Sequence, residues 1–294
     1  MYHRVLERPD PLQAEIHLAK VMDVQFRTLK QFFNVLPLDE AAEMLAQGKL
    51  PPRAVSITFD DGYRDNHDLA LPLLKRHGLS ATFYVTSGYL NGGLIFHDVL
   101  VETIRHAATG HLDLGIDGVD RLSITDTDSR VRAIGCLMGV MKYLPPQQRQ
   151  QLSTRLIDAL ADKAPRALMM NDEHVRELAR NGMGIGGHTT HHVILSKLPV
   201  DAARDEINTN RDALSSLIDK PLTSFAYPNG KPGIDYDADH VALVREAGYR
   251  NAVSTHSAVG TRRASLHELP RFVLNETTSI GVILRMLRMT TYAI

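Results

Sequence analysis

The sequence predicts an α/β protein organised on a parallel sheet, open or closed into a barrel. Three observations carry this. Short apolar runs alternate with amphipathic helical stretches, a strand–helix–strand unit can be traced and then recurs, and glycine closes three of the four helices of that pattern.

The first strand is read at residues 54–59, a β-branched and aromatic run ending in the turn signal Asp60-Asp61-Gly62. Residues 69–77 follow with helical spacing and stop at Gly78, which tolerates the left-handed conformation that ends helices. Residues 81–86 form a second strand. The rhythm returns with a helix over 172–181 stopped by Gly182 and a short strand at 184–187. A longer helix over 200–218, a strand at 224–227 and a helix over 239–247 closed by Gly248 complete the pattern. Residues from about 97 to 165 depart from it: they read as mostly helical, with a polar loop near 110–129. This stretch is taken as an insertion between two core strands within one domain spanning 1–294. The apolar segment 280–289 reads as a closing helix docked on the body in preference to a membrane-surface helix.

Composition narrows the function. The chain has 294 residues, 44% of hydrophobic types, which suffices for a large core. With 33 basic and 34 acidic residues the formal charge is −1, so no global field recruits nucleic acid. The lone Cys136 excludes an intrachain disulfide and a Cys-rich zinc site, leaving His and carboxylate as metal ligands. No signal peptide and no transmembrane run is visible, so a cytoplasmic protein, free or at the inner membrane face, is expected. A homo-oligomer is left open.

Two clusters carry chemistry. Asp60 and Asp61 sit where a buried strand enters a turn, at the carboxyl end of a strand, where parallel α/β proteins place function. Alone, such a pair is as readily a plain turn. His188-Thr189-Thr190-His191-His192 follows another strand, and a helical turn would put His188 and His192 on one face, with His191 as bystander. Such pairs also arise by chance among 14 histidines. Together the clusters say more: two imidazoles and one carboxylate are a common set for catalytic zinc, and the second carboxylate is free to act as a base.

In this order, Thr58-Phe59-Asp60-Asp61-Gly62 and His188-Thr189-x-x-His192 resemble the first two signature motifs of polysaccharide deacetylases, carbohydrate esterase family 4 with its NodB-homology domain. Residues 225–230, Leu269-Pro270-Arg271-Phe272 and Tyr2-His3-Arg4-Val5 resemble segments of the branch associated with cell-surface polysaccharide synthesis. The resemblance implies a distorted, incomplete (β/α) barrel of about seven strands and a divalent metal, most commonly Zn2+. It implies Asp61, His188 and His192 as metal ligands, Asp60 as general base and Thr189 as support for the histidine loop. A backbone N–H near Tyr63 would face the developing oxyanion. The family's third motif carries an arginine that orients the base. Ala226 stands there in this chain, and Arg271 is the candidate replacement. The general acid is open among His256, His267 and His3. Tyr63 is a candidate for stacking on a sugar, and Tyr227, Pro228 and Asn229 are candidates for lining the cleft. The absence of tryptophan favours a short or activated glycan over a crystalline polymer.

The function expected is therefore hydrolysis of an N-acetyl amide on an amino sugar, with carbohydrate as the partner. Two alternatives remain: a hydrolase of cyclic or small non-sugar amides on the same fold, and a glycan-binding homologue with weakened catalysis.

Overall fold

The structure, a computed structural model, describes residues 1–292 apart from 117 and 166. Residue 117 of the polar loop and the last two residues of the expected domain thus lie outside the described residues. In chain order, β1 (Val5–Leu6) pairs in parallel with β2 (His17–Leu18), and β3 (Asn34–Val35) with β4 (Ala54–Val55). Helices α1 (Ala19–Phe32) and α2 (Leu38–Gln47) lie between them. The central sheet is built from β5 (Thr58–Phe59), β6 (Thr82–Val85), β9 (Gly184–Gly187), β10 (Ser224–Ala226) and β11 (Asn251–Val253). All its pairings are parallel, in the order β11-β10-β9-β6-β5. Single parallel bridges, Tyr2 to Phe59 and Val253 to Leu269, add one chain segment at each edge. Seven segments therefore lie side by side in a curled half-barrel, as the fold class implied.

Side-chain alternation separates the two faces of the sheet. Phe59, Phe83, Ile185, Phe225 and Ala252 point outward into the main core against the helices, with Phe59 and Phe83 stacked at 4.8 Å. The opposite face holds Tyr84, Ala226 and Val253 with Leu269 and Ala42. A Cβ on Gly186 would fall 2.4 Å from the Tyr84 ring and 2.9 Å from the Ser224 carbonyl, so only glycine lets this face close.

Three details differ from the sequence reading. The expected strand over 54–59 is split into β4 and β5, which belong to different sheets. The helix expected over 69–77 begins earlier, at residue 64, and passes through a π-helical turn, Asn66–Ala70, before α3 (Leu71–His77). The insertion contains α4 (Phe96–His106), α5 (Thr127–Met141) and α6 (Pro146–Leu160). Its polar loop, however, folds back as an antiparallel hairpin, β7 (Gly110–Leu112) with β8 (Leu122–Ile124). The insertion builds its own apolar cluster, which reaches the sheet's mouth through Tyr63 and Met169.

Beyond it, α7 (Asp172–Arg180), α8 (Val200–Ile218) and α9 (Ala238–Glu246) cover the sheet. The last helix, α10 (Ser279–Met289), docks on α1 through buried Val282 and Met289 and leaves Ile280, Leu284 and Leu287 exposed. Among the described residues, no helix is long and apolar enough to cross a membrane.

Candidate metal centre and active site

Every strand of the central sheet ends at the same edge, and the two sequence clusters meet there. Asp61 follows β5 and His188 follows β9. His188 Nε2 and His192 Nε2 stand 3.3 and 3.2 Å from Asp61 Oδ1. All three residues are buried, and one ligand atom from each lies within 4.8 Å of the others. The loop carrying the histidines is not helical, contrary to the spacing argument. It turns on left-handed backbone at Thr189 (φ 61°) and His192 (φ 50°), and Asp61 is likewise left-handed (φ 80°). For a β-branched residue such as Thr189 this is a strained conformation, and strain of this kind concentrates at functional sites.

Packing and hydrogen bonds hold the loop there. His188 Nδ1 lies 2.7 Å from the Ala226 carbonyl, so Nδ1 carries a proton and donates it, and Nε2 is aimed at Asp61. Ala226, standing where the family's arginine was expected, thus contributes its carbonyl. Thr189 Oγ1 accepts from the Val193 N–H at 3.3 Å. Asn210 of α8 is fully buried; its Oδ1 accepts from His188 N–H, and its Nδ2 donates to the carbonyls of Val85 and Thr189 and to Ser87 Oγ. Glu206, one turn earlier, accepts from the N–H groups of Thr190 and His191 and from the His191 ring, which is exposed. Sequence reasoning missed both residues. The available signal was Asn210 itself, a polar residue in the buried stripe Ala203, Ile207, Asn210, Leu214.

Asp60 is held differently from its neighbour. Arg271 Nη1 and Nη2 donate to its two oxygens at 2.7 and 2.8 Å. Arg271 also donates to Thr58 Oγ1 and to the Ser254 carbonyl, each at 3.1 Å. Burial alone would raise the Asp60 pKa, but Arg271 and His188 hold it below the usual carboxylate range. Burial opposes ionisation of Asp61 too, and the His192 and His188 rings nevertheless hold it well below that range. Burial pushes His192 down to about 4, keeping the ring neutral and able to coordinate.

The donor set fits a divalent cation. Asp61 Oδ1 is buried without a hydrogen-bond partner while facing two imidazole Nε2 atoms. An ionised carboxylate and two imidazoles, one of them (His188) oriented from behind by the Ala226 carbonyl, are the ligand chemistry of zinc-type catalytic sites.

Several expected residues are placed elsewhere. Tyr63 is buried and does not offer a face to a sugar. Its hydroxyl donates to the Asp98 carboxylate at 3.0 and 3.1 Å and lies 2.5 Å from His97 Nε2, with Arg4 over the ring. Tyr227 is buried as well: its ring stacks on Tyr236 at 3.7 Å and its hydroxyl donates to the His267 carbonyl, so it does not line the cleft. Pro228 is buried, and half-buried Asn229 turns the chain in a left-handed conformation (φ 58°). His267 donates from Nε2 to the Tyr249 carbonyl, at the amino end of β11 and away from the mouth. The His256 backbone sits on the mouth side, where its carbonyl accepts from Arg271 N–H, but its ring is exposed. His3 is exposed as well, but it lies close enough for its charge to bear on both Asp60 and Asp61. Sequence reasoning did not single out His97, whose ring meets that of His192 edge-on at 5.9 Å.

A curled parallel sheet that gathers one bare carboxylate, one guanidinium-held carboxylate and two buried imidazoles at its carboxyl edge defines a hydrolase of the deacetylase class. Residues 47–133 and 146–252, together more than half of the chain, match the family model described as polysaccharide deacetylase. The chain belongs to that family, carbohydrate esterase family 4. It is 22% identical to YxkH of Bacillus subtilis over 276 residues, covering 92% of this chain and 68% of the relative. It is 25% identical to the poly-beta-1,6-N-acetyl-D-glucosamine N-deacetylase of Staphylococcus epidermidis over 211 residues, covering 63% and 69%. Its fold is similar to that of the Streptococcus pyogenes deacetylase PplD (TM-score 0.65, 18% identity, 97% of this chain and 96% of that one). It is also similar to IcaB from Ammonifex degensii (TM-score 0.63, 17% identity, 97% and 94%).

Proposed function

We propose that this chain hydrolyses the N-acetyl group of an amino sugar in a glycan, releasing acetate, with a divalent cation, most commonly Zn2+ in such sites, held by Asp61, His188 and His192. The observation that carries the reading is the contrast between adjacent carboxylates: Asp61 Oδ1 faces two imidazoles without a hydrogen bond, while Asp60 is gripped by Arg271. The substrate named for the Staphylococcus epidermidis relative, an N-acetylglucosamine polymer, is of the class proposed.

When bound, the cation supplies positive charge that polarises the amide carbonyl and makes water more acidic. Asp60 takes the proton of the attacking water. Each of its oxygens keeps a lone pair beyond the one occupied by Arg271, so the grip orients the base without blocking it. The guanidinium also lowers the basicity of Asp60, trading driving force for position. A backbone N–H near Tyr63 faces the oxygen on which negative charge grows. As the carbon–nitrogen bond breaks, the amine takes a proton from His3, the candidate acid whose charge bears on both aspartates. Asn229 is proposed at the rim of the sugar site.

The test is acetate release from N-acetylglucosamine oligomers before and after chelation. The reading expects activity that a chelator removes and added Zn2+ restores. Ring opening of cyclic amides without acetate release from any N-acetyl sugar would overturn it.

A further inference from the structure

A second set of metal-type donors converges on the outer surface, in the helix layer. His67 and Asp68 lie in the π-helical turn, while His174 and Glu177 lie one turn apart on α7. His67 Nδ1 is 2.8 Å from Asp68 Oδ1, and His67 Nε2 is 3.0 Å from Glu177 Oε2. The His174 ring stacks on that of His67 with centroids 4.4 Å apart and 24° between planes. One ligand atom each from His67, Asp68 and His174 lies within 4.8 Å of the others. An open groove of about 520 Å³ runs beside them, bordered by His67, Asp68, Leu71, Pro72, Lys75 and Glu177.

A neutral imidazole has one N–H, yet both ring nitrogens of His67 face carboxylate oxygens. The set is one positive charge short unless the ring is protonated. Donor atoms around a zinc-type ion at bond lengths of about 2.0–2.2 Å stand roughly 3–3.5 Å apart. The His67 Nδ1–Asp68 Oδ1 pair already has nearly that spacing. Two contacts compete and are weak or exposed: Arg64 Nε donates to Asp68 Oδ2 at 2.9 Å on the surface, and Asn171 N–H reaches His174 Nδ1 at a long 3.2 Å. Water can replace either.

We infer that His67, Asp68 and His174 form a second divalent-cation site of the imidazole-and-carboxylate type, selective for zinc-like ions over Mg2+ or Ca2+, with Glu177 accepting from His67 Nε2–H and so leaving Nδ1 to the ion. The ion bridges the segment after the Asp60-Asp61 turn to α7, the helix leading into β9 and His188. It thereby clamps together the two elements that carry the central site, and contributes stability by binding only the folded chain.

The experiment uses chelator-stripped full-length chain dialysed against Zn2+, with bound metal counted per chain and the thermal midpoint recorded. His188→Ala removes a central ligand, so the ion that survives in this variant belongs to the outer set. One ion is expected there, together with a rise in thermal midpoint on adding Zn2+; both are expected to vanish when His67→Gln or Asp68→Asn is added. No ion in His188→Ala, or an ion that persists after either second substitution, overturns the inference. The wild-type chain is expected to hold two ions; a single ion there that His67→Gln removes counts against the proposed hydrolytic centre and leaves the outer site standing.

Discussion

Arg271 grips both oxygens of Asp60 at 2.7 and 2.8 Å across 211 positions of sequence, closing one edge of the half-barrel onto the other. Both side chains are buried, so neither charge has water to fall back on. Arg271→Met is expected to leave Asp60 unpaired and to cost about 3–5 kcal/mol in urea unfolding. The double variant Asp60→Asn/Arg271→Met is expected to regain part of that loss. Additive losses would show that the pair is not coupled.

Asn210 is the joint between α8 and the histidine loop. Asn210→Ala strips the hydrogen-bond partner from His188 N–H and from the Val85 and Thr189 carbonyls. Zn2+ affinity, measured by competition with a chelator, is expected to drop about 10–100-fold, the usual effect of losing a group that orients a ligand. Unchanged affinity would mean that the strained Thr189 turn holds itself.

Burial raises the Asp98 carboxyl to about 7, against the pull of Arg4 and of the Tyr63 hydroxyl. The folded chain therefore keeps a proton that the unfolded chain loses near pH 4. This group's stabilising effect is full below that pH and declines as the pH rises towards 7. Relative to Asp98→Asn, the wild type is expected to lose about 2–3 kcal/mol between pH 5 and 8. Parallel stability curves for the two proteins would contradict the raised value.

His3→Gln is expected to lower kcat about 10²–10⁴-fold, because the leaving amine loses its acid. His256→Ala and His267→Ala are expected to stay within a few-fold of wild type. A larger effect at His256 than at His3 would reassign the acid.

The parallel sheet and both chemical clusters were legible in the sequence, because strand alternation, glycine stops and paired ligand types are local signals. Asp60, Asp61, His188 and His192 each follow a strand, and parallel topology sends strand ends to one edge. Helical spacing was the wrong reason for pairing His188 with His192: left-handed backbone at Thr189 brings them together, and a residue list does not display φ. Tyr63 and Tyr227 read as cleft residues because each adjoins a strand end. Whether such a side chain turns inward depends on partners far along the chain, Asp98 for one and Tyr236 for the other. Asn210 was hidden for the same reason, since its partners lie up to 125 positions away.

The most direct test of the hydrolytic account is acetate release by Zn2+-loaded Asp60→Asn, with its metal content measured on the same sample. Asp60 stands outside the proposed ligand set, so the variant is expected to retain the central ion and to lose about 10²–10⁴-fold in rate. Near wild-type turnover with the ion in place would contradict Asp60 as the base.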